Sequence, residues 1–219
     1  TFQSYRALWL PGFGDEGDYT LCDTDSTHVV HIAGEYSLPI GRGGMYLKNV
    51  NRGVDAIIGG WSANYIYTFQ GGEPFPINCA QATTADFGCV ANIVPGQDLY
   101  AGGKKQSEWL NPAALANPPQ ATVIGQSDYS PLGGTPMVAR GPHLNNLDFS
   151  LFKSFGIPKV GRLEFRGEAF NLTNTPQFGQ PGNTGGFTST GPGNPNGFSA
   201  ITGLRNNPRL LQFALKLYY

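Results

Sequence analysis

The chain has 219 residues and a formal net charge of −1, with 31 glycines, 17 prolines, 12% aromatic and 13% charged residues. Glycine and proline are nearly doubled, and charge roughly halved, against average proteins, which excludes a helical bundle or coiled coil. The near-neutral charge excludes a global field for nucleic acid, and the 40% hydrophobic content excludes a disordered tail.

No apolar run approaches the ~20 residues of a membrane-spanning helix. The opening Thr1-Phe2-Gln3 lacks Met and a signal peptide, so the chain is read as a mature or proteolysed piece of something longer. Residues 2 to 9 are a candidate strand remnant. Gly12-Phe13-Gly14-Asp15-Glu16-Gly17 matches the dinucleotide-binding glycine pattern. No helix follows it, and Asp15, Glu16 and Asp18 would repel a pyrophosphate, so no nucleotide is expected. Asp15, Glu16, Asp18, Asp23 and Asp25 crowd oxygen ligands into a short acidic lead segment (1–26). They are a candidate Ca2+ site, weighed against a solvated, self-repelling loop; no other cofactor is expected.

From Thr27 to Leu38 the apolar residues alternate. Val30, Ile32, Tyr36 and Leu38 share one face, and His31, Glu35 and Ser37 the other. His28 and His31 fall on opposite faces and cannot share a metal. The 38–59 link has room for a short helical turn. Trp61, Ala63, Tyr65, Tyr67 and Phe69 then alternate with Ser62, Asn64, Thr68 and Gln70, with Ile66 the exception. The strands of 27–70 lead into a long loop over 71–144. Within it, Cys79 and Cys89 are spaced to close a disulfide, which implies an oxidising compartment; otherwise, with Cys22, they are three unrelated thiols. Asn111-Pro112 is a helix start, with a capping side chain followed by proline.

A hairpin is expected over 145–173. Leu147, Phe149, Leu151 and Phe155 oppose Asn146, Asp148, Ser150 and Ser154, while Phe152 and Lys153 break the pattern. After the turn at Gly156 to Lys159, Leu163, Phe165, Gly167 and Ala169 oppose a charged row of Arg162, Glu164, Arg166 and Glu168. A row of charges cannot face a dry core, so this face is wet or ion-paired, with Asp148 expected opposite Arg162 or Arg166. Glu164 and Glu168 lie ~13 Å apart by strand rise, too far for a paired-carboxylate hydrolase site. With no nucleophile–His–acid set either, no enzymatic activity is expected. A second long loop covers 174–208. The final segment, 209–219, places Leu211, Phe213, Leu215, Leu217 and Tyr219 on one face. The fold class is thus all-β, an antiparallel meander of five to six long strands in a single β domain with two long loops. The aromatic set Trp61, Tyr65, Tyr67 and Phe69, with Phe213 and Tyr219, suits either a lipid-facing band or the core between assembled subunits, since both bury the same face.

Four stretches carry a resemblance. They are Asn206 to Tyr219; Phe165-Arg166-Gly167-Glu168-Ala169-Phe170-Asn171-Leu172-Thr173-Asn174-Thr175-Pro176-Gln177-Phe178-Gly179; Gly59-Gly60-Trp61 through Phe75; and Arg140-Gly141-Pro142 into Asn145 to Lys153. In this order they resemble the C-terminal barrel of TonB-dependent outer-membrane receptors, in the Oar-like group that carries an N-terminal carboxypeptidase-regulatory-like domain. The resemblance implies a non-enzymatic role in uptake or surface binding, in the outer membrane of a Gram-negative-type bacterium. It also implies a terminal strand read by the barrel-assembly machinery. The plug and TonB-contacting segment of such receptors are not among these residues, and five or six strands cannot close a barrel. The two open edges must pair with the remaining strands of a larger barrel or with other copies of the chain. The second option gives the alternative reading, a self-assembling extracellular or cell-surface filament or tube.

Overall fold

A computed structural model describes residues 20–79, 90–100, 104–117, 137–185 and 197–219. In chain order these form β1 (Val29–Ser37), α1 (Arg52–Ile58), β2 (Trp61–Gln70), β3 (Pro74–Phe75), β4 (Asn78–Cys79) and β5 (Asn92–Ile93). A 3-10 turn (Pro112–Ala114) follows, then β6 (Leu115–Ala116), β7 (Ala139–Arg140), β8 (Leu144–Ile157), β9 (Gly161–Phe170), β10 (Thr184–Gly185) and β11 (Leu210–Tyr218). The chain divides into two compact units.

The first unit, over 28–70, 144–177 and 206–219, is one antiparallel sheet in the order β1-β2-β8-β9-β11. Its strands hold 9, 10, 14, 10 and 9 residues. Each therefore reaches the ~9–11 residues that a tilted strand needs to cross a bilayer. The alternation sets the register, because a one-residue slip would turn every side chain to the wrong face. Ile32, Tyr67 and Leu147 lie level across β1, β2 and β8, and Tyr65, Phe149, Ala169 and Leu211 across β2, β8, β9 and β11. On the opposite face Glu35, Asn64, Ser150, Glu168 and Gln212 form one row through all five strands. Two glycines sit under rings: Tyr65 lies over Gly34 and Phe213 over Gly167. A side chain at Gly34 would meet the Tyr65 ring at 2.8–2.9 Å.

The two ends of the sheet differ. At one end β8 and β9 are joined by a tight turn, with Ile157 level with Gly161, and β1 joins β2 through the 38–60 connection. At the other end, marked by Val29, Gln70, Leu144, Phe170 and Leu210, every connection is long. The motif after β9 ties three strands together there. Asn171 N–H donates to Asp148 Oδ1 (2.9 Å), and Leu172 N–H to the Leu147 carbonyl (2.7 Å). Asn174 Oδ1 accepts from the Arg209 N–H (2.9 Å). Asn171 and Asn174 both take left-handed backbone (φ 52°), a region that asparagine tolerates. Gln177, 2% exposed, pairs with both backbone groups of Asn145 as a further strand residue would.

The second unit draws on 1–27, 71–143 and 178–205. The spans expected to be loops thus supply a core of their own, around Phe75, Ile77, Leu110, Leu115, Phe198 and Ile201. Two-residue strands frame it: β3 pairs β7, β5 pairs β6, and β4 runs parallel to β10. Asn111 caps the 3-10 turn as its sequence predicts. Ser199, fully buried, serves the two backbone groups of Leu110: its Oγ accepts from the N–H (2.6 Å) and donates to the carbonyl (3.1 Å). Arg140 is the hub. Its N–H donates to Tyr100 Oη (2.6 Å), its carbonyl accepts from Trp109 Nε1 (2.9 Å), and its guanidinium binds Asp25 and the Gly72 carbonyl.

Burial pushes the Tyr100 hydroxyl above its usual range, with Arg140 opposing the shift. A raised folded-state value means that the neutral phenol stabilises the fold fully below the unfolded value of about 10, and that this contribution disappears as pH rises through the folded value. Hydrogen exchange at the Arg140 amide should therefore accelerate in strong alkali in the wild type. Tyr100→Phe should already exchange faster at neutral pH, by the ~1–3 kcal/mol of an orphaned N–H, with a flatter alkaline response.

Candidate functional site: a sheet with two solvents

The candidate site is the five-stranded sheet itself. Among the described residues its apolar face is open apart from the patch around Trp61 and Lys153 that α1 covers. Leu211, Phe213, Leu215 and Leu217 are 58, 71, 65 and 51% exposed, and Ile32 and Tyr36 are 50 and 60% exposed. Tyr219 lies just past the strand end, fully exposed. Trp61, Tyr65, Tyr67 and Phe69 all fall on this face by register. Trp61 meets Phe165 edge-on (6.1 Å between centroids, 87°), and Phe165 stacks on Phe213 (6.3 Å, 22°). A water-filled surroundings would oppose so large a contiguous apolar patch.

The opposite face carries the charged row. Arg166 reaches both neighbours on its own strand, with Nη2 3.0 Å from Glu164 and Nη1 3.7 Å from Glu168. The Glu164 side chain is only 8% exposed. Each arginine also lies over an aromatic ring directly across the ladder. Arg166 sits 5.7 Å from the Phe152 ring and Arg162 4.7 Å from the Tyr218 ring. Asn64 Oδ1, Asn146 Oδ1 and Arg166 Nε, all on this face, have no protein hydrogen-bond partner among the described residues. Polar atoms in that condition call for water or another polar surface.

The expected pairing of Asp148 with Arg162 or Arg166 is corrected. The tight turn levels Phe152 with Arg166 and Gly156 with Arg162, which leaves Asp148 several residues away toward the far end. Asp148 instead accepts from Asn171 N–H and Asn146 Nδ2. Asn171, in an Asn-Leu-Thr sequon, is 4% exposed and hydrogen-bonded to the Thr175 carbonyl, so the folded chain does not present it for glycosylation.

Lys153 was not predicted as a site residue. It occupies the apolar face, level with Trp61 and Phe165, yet is 4% exposed. Its ammonium donates to the carbonyls of Asp55 (3.3 Å), Ala56 (2.8 Å) and Gly59, at the C-terminal end of α1. A cation there complements both the carbonyls of the last helical turn and the helix dipole. The break in alternation at Phe152 and Lys153 was the only sequence signal. Each residue has a specific partner: a guanidinium for the ring, a helix end for the ammonium.

Among the acidic candidates, Asp25 is paired with Arg140, and Asp23 accepts weakly from Cys22 Sγ (3.5 Å). Asp15, Glu16 and Asp18 lie outside the described residues, as do residues 2 to 9 and the glycine pattern. Among the described residues no three His, Cys, Asp or Glu side chains are grouped to hold a metal ion. The proposed Cys79–Cys89 bridge needs Cys89, which also lies outside the described residues; Cys22 is a free, exposed thiol. His31 Nδ1 lies 3.2 Å from Thr68 Oγ1 on the polar face.

A single layer of membrane-length antiparallel strands, apolar on one face and charged on the other, with the shorter connections at one end and the longer ones at the other, is a strip of transmembrane β-barrel wall. The chain belongs to the outer membrane beta barrel domain family, whose model matches residues 9–212. It is an outer-membrane protein. No curated protein and no solved structure matches it.

The ion-paired row makes a quantitative prediction for the protein in its membrane or in detergent. Arg166→Met strands Glu164 and should destabilise by about 3 kcal/mol, while adding Glu164→Gln should recover much of that loss. Denaturant unfolding of Arg166→Met, Glu164→Gln and the double variant checks it. Additive losses would show that the two side chains do not work as a pair.

Proposed function

We propose that the chain is the C-terminal barrel segment of a TonB-dependent, Oar-like outer-membrane receptor, acting without enzymatic activity in uptake or surface binding. The observation that carries this reading is the two-faced single layer whose long connections all leave from one end, as extracellular loops of such barrels do. The four motifs in family order and the terminal alternation from Leu211 to Tyr219 support it. On this reading the apolar face meets lipid, the Arg162-Glu164-Arg166-Glu168 row lines the lumen, and β11 is the strand read during barrel assembly.

Barrels of this kind hold about 22 strands, so β1 and β11 pair with strands supplied by the rest of the protein. A second reading is favoured by those same edges: each is hydrogen-bonded on one side only within the sheet. Pairing of edge to edge between copies would build an extracellular filament or tube with the apolar face as its subunit core.

Mass spectrometry of the protein recovered from the producing cells separates the two. The receptor reading predicts outer-membrane fractions holding one polypeptide far longer than 219 residues, with additional strands and a plug. A species of about this chain's length in sedimentable, detergent-free filaments would overturn it.

A further inference from the structure

The connection between β1 and β2, residues 38–60, is built more firmly than a turn requires. Met45 and Tyr46 N–H groups both donate to the Pro39 carbonyl, and Gly41 N–H donates to the Tyr46 carbonyl (each 2.9 Å). Asn51 caps α1, its side chain accepting from Val54 N–H (2.8 Å). Asp55, the only acid of the segment, turns inward and accepts from Arg42 N–H (2.6 Å). Gly41 (φ 100°) lets the turn close on the helix, since a side chain there would meet the backbone of Gly59 at 2.6 Å. Trp61 Nε1 donates to the Ile57 carbonyl (2.9 Å), and Lys153 holds the helix end, so both contacts fix α1 against the apolar face of the sheet.

This folded element leaves its own apolar side chains uncovered. Met45, Tyr46, Leu47 and Ile57 are 66, 59, 58 and 71% exposed, and Val54 is 39% exposed. Arg42, Lys48 and Arg52 are exposed beside them, with no exposed acid in the segment to balance them. Val160 and Lys159, at the tip of the neighbouring β8–β9 turn, repeat the combination. A rigid element with apolar side chains and cations on its surface, continuous with a face that meets lipid, has the chemistry of a bilayer interface.

We propose that the 38–60 connection is an interfacial anchor. Met45, Tyr46, Leu47, Val54 and Ile57 enter the headgroup–acyl boundary at the short-turn end of the barrel wall, and Arg42, Lys48 and Arg52 engage lipid phosphates. The Lys153 and Trp61 contacts set the depth of α1 against the wall. The inference rests on the apolar face of the sheet meeting lipid, and the test separates the two.

The native protein is reconstituted in phosphatidylethanolamine–phosphatidylglycerol vesicles with a nitroxide label at Ile57→Cys in a Cys22→Ser background. Companion proteins carry the label at Phe213→Cys, on the apolar face, or at Ser154→Cys, on the polar face. The ratio of oxygen to nickel-chelate accessibility is read from power saturation, with signal from the protein lacking an introduced cysteine subtracted. The anchor predicts a ratio at 57 severalfold above that at 154, approaching that at 213. A ratio at 57 equal to that at 154, with 213 still high, overturns the anchor and leaves the lipid-facing wall standing. Low access of both reagents at 57 means a protein surface covers the segment and also overturns the anchor. A ratio at 213 as low as at 154 overturns the lipid-facing wall itself, and the anchor with it.

Discussion

A sheet with no second layer cannot hide its apolar side chains by folding. Most sheet proteins bury one face against helices or another sheet. Here Leu211, Phe213, Leu215 and Leu217 have no such cover, and at ~25 cal/mol per Å2 their exposure to water would be heavily penalised. The surroundings must therefore supply the apolar phase. Bilayer hydrocarbon does so, and this one condition accounts for the strand lengths, the prevailing alternation and the outer-membrane family to which the chain belongs.

The same condition orders the polar face. All the charges of the sheet except Lys153 lie there, where Arg166 bridges two glutamates and each arginine stacks on a cross-strand ring. The one cation on the apolar side, Lys153, is tolerated because three backbone carbonyls at the end of α1 surround it. Losing that helix would leave an unpaired charge facing hydrocarbon, so the short helix and the lysine depend on each other.

Period-two alternation made the five long strands readable in the sequence, since each residue's face shows in its polarity. It also separated the charged row from the aromatic one, because a misplaced charge in lipid is costly. Register was less legible. Asp148 matched the charged residues in type, but the position of the β8–β9 turn sets which residues lie level, and that turn placed it beside Asn171 instead. Least legible was the second unit. Its strands are two residues long, too short for any period, and its core comes from separated positions such as Phe75, Leu110 and Phe198. Glycine- and proline-rich stretches of that kind read as loops because polar backbone contacts, such as those of Ser199 and Arg140, do the organising.

A strip of barrel wall is stable in lipid only if its outer edges are paired. Residue-resolved amide exchange of β1 and β11, on the native protein in its own membrane, tests this most directly. The account predicts uniform protection of successive amides along both strands. Exchange at every second amide, the signature of an edge bonded on one side only, would contradict it.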